Sequence, residues 1–513
     1  MKTPARPRRS VLAVLAAAVL AHAAQADGLR VATWNITYYG GDRAAEIGTA
    51  VYGQWQGKSF APDVICLQEM TSVSAVNALV SALNAAPGSP GDWVRAPFYS
   101  SGTLSTALVY RTSKVTLIAH TLVAPGGAFP NHPRNIVRYD IAPVGYSEPA
   151  SVVSVYPIHF KAFHDDPNND IRRFNEAVNL TNDIAALPAG RHVVVGADFN
   201  IRRSTDPAFA LMVGDPFNTG LLRDPINRGG EWFNNIAFRN IHTQDPNNAS
   251  GMDDRLDQVL LSPSLVDGQG MDYIGDYPRP WDLRVFEDPN HSYRAWGNDG
   301  SSFNTFLRIQ GNAMVGPVIA QALVDMAAGG GHLPVFLDLA MPGRLGIDQP
   351  VIDLGPVPFS AAHPFEIAVR NAGDTALWGV GGISPLSYNF SSGGAVSTPA
   401  GPFAAEAGAD PVPHAFTLDT TDWPNGGPQS APLVVTSNDP ARPNAPLQVR
   451  FEVVGCNASD LATPFGQHTF VDLSVYLNLY NAGDARADLA EPLGVFNAFD
   501  LFGFLNSFTA GCP

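Results

Sequence analysis

The sequence predicts three folded units in series: an α/β domain, an all-β module and a small α-helical module. Three observations predict them. Apolar β-type runs in the first two thirds of the chain end on carboxylate, amide and imidazole side chains. From about Gly343 to Gly455 helix-type periodicity gives way to short alternating runs separated by Gly, Pro and Asn-Asp turns, the pattern of a β-sandwich. The last segment repeats with a period of 28 residues.

In chain order, residues 1–26 read as a secretory signal. Lys2, Arg6, Arg8 and Arg9 form its basic region, Val11 to Ala21 its apolar one and Ala24-Gln25-Ala26 its small-residue cleavage site. Arg8-Arg9-Ser10-Val11-Leu12 also resembles a twin-arginine signal, so export to the periplasm, cell surface or medium is expected by either route. No later apolar run reaches about 18 residues, so no transmembrane segment is expected.

The α/β domain is expected over residues 27–343. Asn35 follows Leu29–Trp34, Glu69 follows Asp63–Gln68, His159 closes Val152–Ile158, Asp198 and Asn200 close the run from Val193, and His332 opens the run to Leu337. A buried strand carries polar groups most cheaply at its end, so these residues are expected to meet at one sheet edge. A carboxylate with amide oxygens suits a hard divalent cation such as Mg²⁺, which keeps waters and binds phosphate. Two histidines add proton transfer and stabilisation of charge on a phosphoryl oxygen.

At these residues the chain resembles the endonuclease/exonuclease/phosphatase superfamily, from about Leu29 to Leu339. The resemblance implies a deoxyribonuclease-like α/β four-layer sandwich, two β-sheets flanked by helices. Trp34-Asn35 and Gln68-Glu69 look like its first two motifs, which makes Glu69 the main metal ligand and Asn35 a second residue of the metal site. His159-Phe160-Lys161 is similar to the segment whose His contacts the scissile phosphate. Asp198 and Asn200 match a Gly-Asp-Phe-Asn motif into which Ala197 is inserted. The strand from Asp254 to Ser262 is similar to one whose Asp, here Asp257, orients a terminal histidine, here His332.

The implied chemistry is hydrolysis of a phosphoester with Mg²⁺, or Mn²⁺, as cofactor. His159, Asp198, Asn200, Asp257 and His332 form the expected catalytic set. The resemblance is broken before His332, where Gly329-Gly330-Gly331 replaces the family's Ser-Asp, and after Asn35, where Thr37 stands at an often acidic position. A site with fewer carboxylates is therefore expected, and Gly331→Asp is the informative reverse change. Arg172 and Arg202 follow proposed site segments and are candidates for gripping phosphate. His164-Asp165-Asp166 reads as a solvated loop, and Cys66 as an apolar filler in a buried strand.

Charged residues make up only 15% of the 513-residue chain, and 48 Gly with 43 Pro point to many turns and β-rich modules. The net charge is −16, and residues 1–26 hold four basic and no acidic residues, so their removal leaves −20. That acidity opposes non-specific adhesion to polyanions. A local Arg patch with a metal can still hold one phosphate.

The all-β module is expected over residues 344–455, with alternating runs such as Phe365–Arg370 and Leu447–Val453. Asn371-Ala372-Gly373-Asp374 and Thr436–Pro440 look like turns of immunoglobulin-like modules, which implies a spacer or adhesion role. Over residues 456–513, Asp460, Pro464, Gly466, Asp472, Leu477 and Asn478 recur as Asp488, Pro492, Gly494, Asp500, Leu505 and Asn506. Each copy reads as a loop and an amphipathic helix, at Val471–Tyr480 and Phe499–Phe508. The segment resembles dockerin tandem repeats, in particular a Gly-Cys-ending variant of exported planctomycete proteins, and implies a docking partner. Cys456 and Cys512 bracket it and would staple it if paired. Ala462, Pro464, Ala490 and Pro492 occupy places where a calcium loop needs oxygen ligands, which argues against Ca²⁺.

The expected function is that of an exported, metal-dependent phosphoesterase acting on nucleic acid. Phosphatase or sphingomyelinase-like action on a small or lipid phosphoester is the alternative, for which Tyr38, Tyr39, Trp55 and Trp232 could furnish an aromatic rim. A catalytically inactive adhesion protein is the reading from another class.

Overall fold

A computed structural model describes residues 27–102, 104–327, 329–359 and 362–512. The expected signal segment lies outside them. The first unit begins with β1 (Leu29–Tyr39), α1 (Ala44–Tyr52), β2 (Val64–Met70), α2 (Val73–Ala85), β3 (Trp93–Arg95), β4 (Ser105–Arg111), β5 (Val115–Ala124) and β6 (Ile136–Pro143). It continues with β7 (Val153–His159), α3 (Pro167–Ala185), β8 (His192–Asp198), α4 (Pro207–Val213), β9 (Asp257–Leu261), β10 (Asp272–Tyr273), β11 (Arg294–Ala295), α5 (Gly316–Met326) and β12 (Val335–Ala340).

Two mixed sheets carry the unit. One has the order β10-β12-β1-β2-β4-β3, with β11 also on β12, and the other the order β5-β6-β7-β8-β9. Side-chain alternation sorts the residues into layers. Val31, Val64, Cys66 and Leu108 turn toward the second sheet, whereas Ala32, Trp34, Ile65 and Leu67 pack with Val51, Leu79 and Leu323 of α1, α2 and α5. Ala177 and Leu180 of α3 and Phe209 and Met212 of α4 join the core of the second sheet. The product is an α/β layering in which helices flank two stacked sheets.

Gly196 in β8 fixes how closely the sheets approach. A Cβ there would lie 2.7 Å from the Cβ of Cys66 in β2 and 3.2 Å from the Cβ of Thr33 in β1. Asp166 lies at the start of α3, where its side chain accepts from Asn168 N and Pro167 takes the first turn. The His164-Asp165-Asp166 stretch is thus a helix-entry loop.

The second unit is strand-built: β13 (Leu345–Ile347), β14 (Val351–Pro358), β15 (Ala362–Asn371), β16 (Leu386–Ser392), β17 (Val396–Ser397), β18 (Phe403–Ala405), β19 (Val412–Asp419), β20 (Gly427–Ser437) and β21 (Asn444–Val454). Its sheets, β13-β15-β19-β17 and β14-β21-β20-β16-β18, share a core that includes Phe365, Val369, Tyr388, Leu418, Leu433 and Val449. A short helix, α6 (Thr375–Trp378), leaves this core and packs on the first unit. Trp378 is fully buried there, Gly28 N donates to its carbonyl at 2.6 Å, and Lys114 Nζ stands 4.6 Å over its ring.

In the last unit α7 (Phe470–Ala482) and α8 (Ala498–Ala510) pack through Tyr476 and Phe504, whose rings stack at 4.2 Å, and a Cys456–Cys512 disulfide closes it. Each repeat loop is gathered by a carboxylate. Asp472 Oδ1 accepts Leu461 N and Ala462 N, both at 2.8 Å, and its Oδ2 accepts Thr469 N at 2.7 Å. Asp500 repeats the pattern with Leu489 N, Ala490 N and Asn497 N. The oxygens of Asp472 and Asp500 are thus taken up by backbone N–H groups, whereas Asp460 Oδ1 and Asp488 Oδ1 are buried without a hydrogen-bond partner. Among the described residues, no helix is long and apolar enough to cross a membrane.

Candidate active site

Strand register assembles the site. Across β7, β8 and β9, His159 is paired with Asp198 and Asp198 with Asp257, so three strands deliver their polar residues at one level. Asn35 is paired with Gln68 just before the register of β1 and β2 shifts, which places Glu69 in the irregular stretch one residue further on. β12 runs antiparallel to β1, with Thr33 opposite Val335, and brings His332 in just ahead of it.

Asn35 joins the two carboxylates. Its Nδ2 donates to Asp198 Oδ2 at 2.9 Å and to Glu69 Oε1 at 3.2 Å, while its Oδ1 accepts Thr37 N at 3.1 Å. Asn35 thus holds the two carboxylates in place through Nδ2, while its Oδ1, accepting one N–H, keeps a second lone pair. Glu69 Oε2 accepts Tyr38 N at 2.9 Å, and Asp198 Oδ1 accepts Asn200 N at 3.0 Å. Asn200 Nδ2 donates to Phe160 O at 3.1 Å, tying the β8 end to the β7 end. The site backbone is strained: Thr37, Tyr38, Glu69 and Asn200 have φ of 53, 46, 60 and 50°, a left-handed region costly for non-glycine residues and frequent at functional sites.

Asp198 Oδ2 lies 3.4 Å from His159 Nε2 and 3.8 Å from His332 Nε2. His332 Nδ1 is hydrogen-bonded to Asp257 Oδ2 at 2.7 Å, and Thr243 Oγ1 donates to the same oxygen at 2.6 Å. Burial works against a charged His332 ring, but the Asp257 and Asp198 carboxylates outweigh it and hold its pKa well above the ordinary value. Burial raises the pKa of Asp198 despite the opposing charge of His332. Burial, then the Arg134 charge, keep His159 neutral by pushing its pKa well down.

Sequence reasoning missed four supports. Arg134 Nη1 donates to His159 O at 3.1 Å and to Phe160 O at 3.0 Å, and Trp34 Nε1 donates to His332 O at 3.3 Å. Thr243 orients Asp257, and Asp245 packs beside the glycine run. Arg134, Thr243 and the Trp34 indole act on backbone or on a second residue, a role that the Trp34-Asn35 motif does not itself mark. Two expectations need correction. Arg172 does not face the cluster, because its Nε donates to Asn131 O at 2.7 Å and its Nη2 to Gly127 O at 2.8 Å, pinning a surface loop. Gly331 has φ 72°, and a Cβ on it would lie 2.4 Å from Ala327 Cα, so this backbone does not admit an Asp. Arg202 stays on the rim, with Nε on Asp254 Oδ2 at 3.1 Å and its guanidinium 3.8 Å over Phe233.

The donor set fits a divalent cation. Ligand atoms of Asp198, Asp257 and His332 lie within 4.8 Å of one another, and Glu69 brings a further carboxylate through Asn35. Thr37 Oγ1, His159 Nδ1 and Asp257 Oδ1 are buried without a hydrogen-bond partner, which leaves polar capacity for ligands. Carboxylate oxygens predominate, the chemistry a hard cation requires.

Residues 32–272 match the sequence model of the Endonuclease/Exonuclease/phosphatase family. The matched stretch contains Asn35, Glu69, His159, Asp198, Asn200 and Asp257, and ends before His332. No curated protein matches the chain in sequence. The fold is similar to the human Nocturnin catalytic domain with bound sulfate, at 13% identity and TM-score 0.36, covering 61% of this chain and 93% of that one. It is also similar to D. rerio TDP2 complexed with a single-strand DNA product, at 13% identity and TM-score 0.36, covering 61% and 99%. Beta toxin from Staphylococcus aureus is similar at 14% identity and TM-score 0.34, covering 60% and 99%.

Proposed function

We propose that the first unit is a divalent-metal-dependent phosphoesterase that cleaves phosphodiester bonds of extracellular nucleic acid. The observation that carries this reading is the meeting of Glu69, Asn35, His159, Asp198 and the Asp257–His332 pair at one edge of the stacked sheets. All of these residues except His332 lie in the stretch matched to a family that generally hydrolyses phosphoesters. A divalent cation would be held chiefly by Glu69 and would supply Lewis-acid polarisation of a phosphoryl oxygen.

The chain's own groups divide the proton work. With His332 held as an imidazolium, Asp198 is the acceptor of the pair and takes the proton of the attacking water. Asn35 and the Asn200 backbone fix the direction of its carboxylate. His332 presents its Nε2–H, and neutral His159 its Nε2, toward the oxygen on which charge develops. Asp257 and Thr243 keep the His332 ring turned.

A second reading, hydrolysis of a lipid phosphoester, draws on Tyr38 and Phe163, exposed by 64% and 69% and lying next to Glu69 and the His159 segment. Tyr39 and Trp232 are buried and do not extend that rim. In the whole chain, residues 1–26 direct export, the strand-built unit is an immunoglobulin-like spacer, and the disulfide-closed unit is a dockerin-like docking module. Exposed Phe470, Phe499 and Phe502 on its helices support the docking role.

The test is hydrolysis of plasmid DNA, RNA, bis(p-nitrophenyl) phosphate and sphingomyelin by the purified protein with Mg²⁺, Mn²⁺ or Ca²⁺, and with chelator. Metal-dependent cleavage of nucleic acid is expected. Turnover of sphingomyelin alone selects the second reading. No turnover of any substrate by folded protein overturns both and leaves an adhesion protein.

A further inference from the structure

Three neighbouring strands build a recess away from the site. Arg30 on β1 is paired with Asp338 on β12, and Phe336 on β12 with Arg294 on β11, so side-chain alternation sends all four to one face of the first sheet. Trp296 follows β11. Lys58 and Ser59 come from the segment after α1, which Arg30 Nη1 holds by donating to Ser59 O at 3.0 Å and to Phe60 O at 2.8 Å. These residues, with Glu287 and Ser292, line a cavity of about 290 Å³. Arg30 precedes Asn35 on β1 by roughly 16 Å at the usual rise of a strand, so the cavity lies apart from the phosphoesterase site.

The charges of the cavity do not balance. Asp338 is held by Arg30, at 2.7 Å from Nε and 2.9 Å from Nη2, and Glu287 is held by Lys58. Arg294 has no ion pair among the described residues, and its guanidinium finds only the carbonyls of His291 and Tyr293, both at 2.6 Å, and of Asp288 at 3.4 Å. Burial outweighs the Glu287 and Asp338 charges and keeps the Arg294 pKa below the ordinary arginine value. Trp296 is 2% exposed, and its Nε1 is buried without a hydrogen-bond partner among the described residues. An unpaired cation and an unused N–H on the wall of one cavity are costly unless something brings them acceptors.

A tetrahedral oxyanion meets that need. Guanidinium, ammonium, serine hydroxyls and indole N–H can all donate, and together they offer more directions than the two oxygens of a carboxylate fill. The cavity is larger than a bare phosphate, and the rings of Phe336 and Trp296, 6.1 Å apart, wall the remaining space for a small organic substituent. We propose that this cavity is a second anion site, which takes a phosphate group, free or at the head of a small monoester, on Arg294, Lys58 and Trp296. The proposal is independent of the metal-dependent reading above.

The purified protein is titrated with inorganic phosphate by calorimetry, with chelator present to keep metal out of the phosphoesterase site. Saturable binding is expected, weakened about tenfold or more in Arg294→Gln and about fivefold in Trp296→Phe, which keeps the bulk of the ring and loses the N–H. Lys58→Gln, at a half-exposed position, should also weaken it and serves if Arg294→Gln fails to fold. Glu287→Gln removes the carboxylate that competes with the anion for Lys58, so binding should tighten, a gain that a purely structural role of the cluster does not produce. Wild type that binds no phosphate overturns the proposal. So does binding that Trp296→Phe and Glu287→Gln both leave unchanged, since phosphate held at the phosphoesterase site would not respond to them. Acetate bound as tightly as phosphate overturns the choice of anion. A nucleoside 5′-monophosphate separates the two sources: binding tighter than that of inorganic phosphate assigns the monoester, and weaker binding assigns the free ion.

Discussion

His332 and Asp257, 75 residues apart in the chain, are joined by a 2.7 Å hydrogen bond that fixes which nitrogen of the imidazole faces Asp198. Asp257→Asn keeps the shape and removes the charge that holds the ring protonated. The turnover number is expected to fall by a factor of about 10² or more. Because the carboxylates raise the His332 pKa, the alkaline limb of the kcat profile should lie above the ordinary histidine range in the wild type and move to lower pH in the variant. A profile measured from pH 5 to 11 checks this; an alkaline limb that stays in place removes His332 from the mechanism.

Glu69 is the carboxylate most open to solvent in the cluster, its side chain 14% exposed, and it is held by Asn35 and Tyr38 N. Glu69→Gln is expected to raise the Mg²⁺ concentration needed for half-maximal activity by at least about tenfold, with melting temperature nearly unchanged. Activity measured against Mg²⁺ concentration decides it, and an unshifted curve rules out Glu69 as a holder of the ion.

Glu176 is buried beneath the His159 segment, accepts Lys161 N at 2.8 Å, and is pushed up to about 8 by burial against the pull of Arg134, Arg172 and Arg173. The folded state therefore keeps a proton that the unfolded chain releases from about pH 4.5 upward. Wild-type stability attributable to this group falls as pH rises through that window and levels off above about 8. Glu176→Gln removes the slope, so the variant should gain on the wild type between pH 5 and pH 8.5 in urea unfolding. An equal difference at both pH values refutes the assignment.

Gly196→Ala drives a methyl into the contact between the stacked sheets, 2.7 Å from Cys66 Cβ. The expected cost is about 1–3 kcal/mol, read from urea unfolding of the full chain. A neutral substitution would mean that the sheets can separate locally.

In the repeat module, Asp472 and Asp500 collect backbone N–H groups that calcium-loop ligands would otherwise organise. Calcium or a chelator should leave its melting unchanged, whereas Asp472→Ala should unfold the first repeat locally, visible as lost hydrogen-exchange protection in 460–480. A chelator-induced transition would contradict this bonding pattern.

Much of the site was legible because a buried strand announces its functional end: Asn35, Glu69, His159, Asp198 and His332 each interrupt or border an apolar run. Strand pairing then does the rest, since the register that places His159 beside Asp198 and Asp198 beside Asp257 is a property of the sheet and not of any single motif. Arg134, Thr243 and Asp245 escaped notice for the complementary reason. Arg134 works on carbonyls, Thr243 on another side chain, and Asp245 lies in a segment bonded to Gly330 and Gly331. The glycine run shows in the sequence as a missing carboxylate, but that its backbone has no room for one at Gly331 shows only in the structure. Arg172 misled in the opposite sense, its charge being absorbed by two loop carbonyls.

Trp378 comes from the strand-built unit yet fills a pocket of the α/β core, with Gly28 and Lys114 clasped to its backbone and to that of Leu377. Cutting the chain near residue 343 is expected to destabilise the α/β unit, because the tryptophan that fills this seat lies beyond the cut. A boundary drawn at residue 343 therefore divides one hydrophobic cluster between two pieces, since Trp378, Ile383 and Ala407 from beyond it are part of the first unit's core.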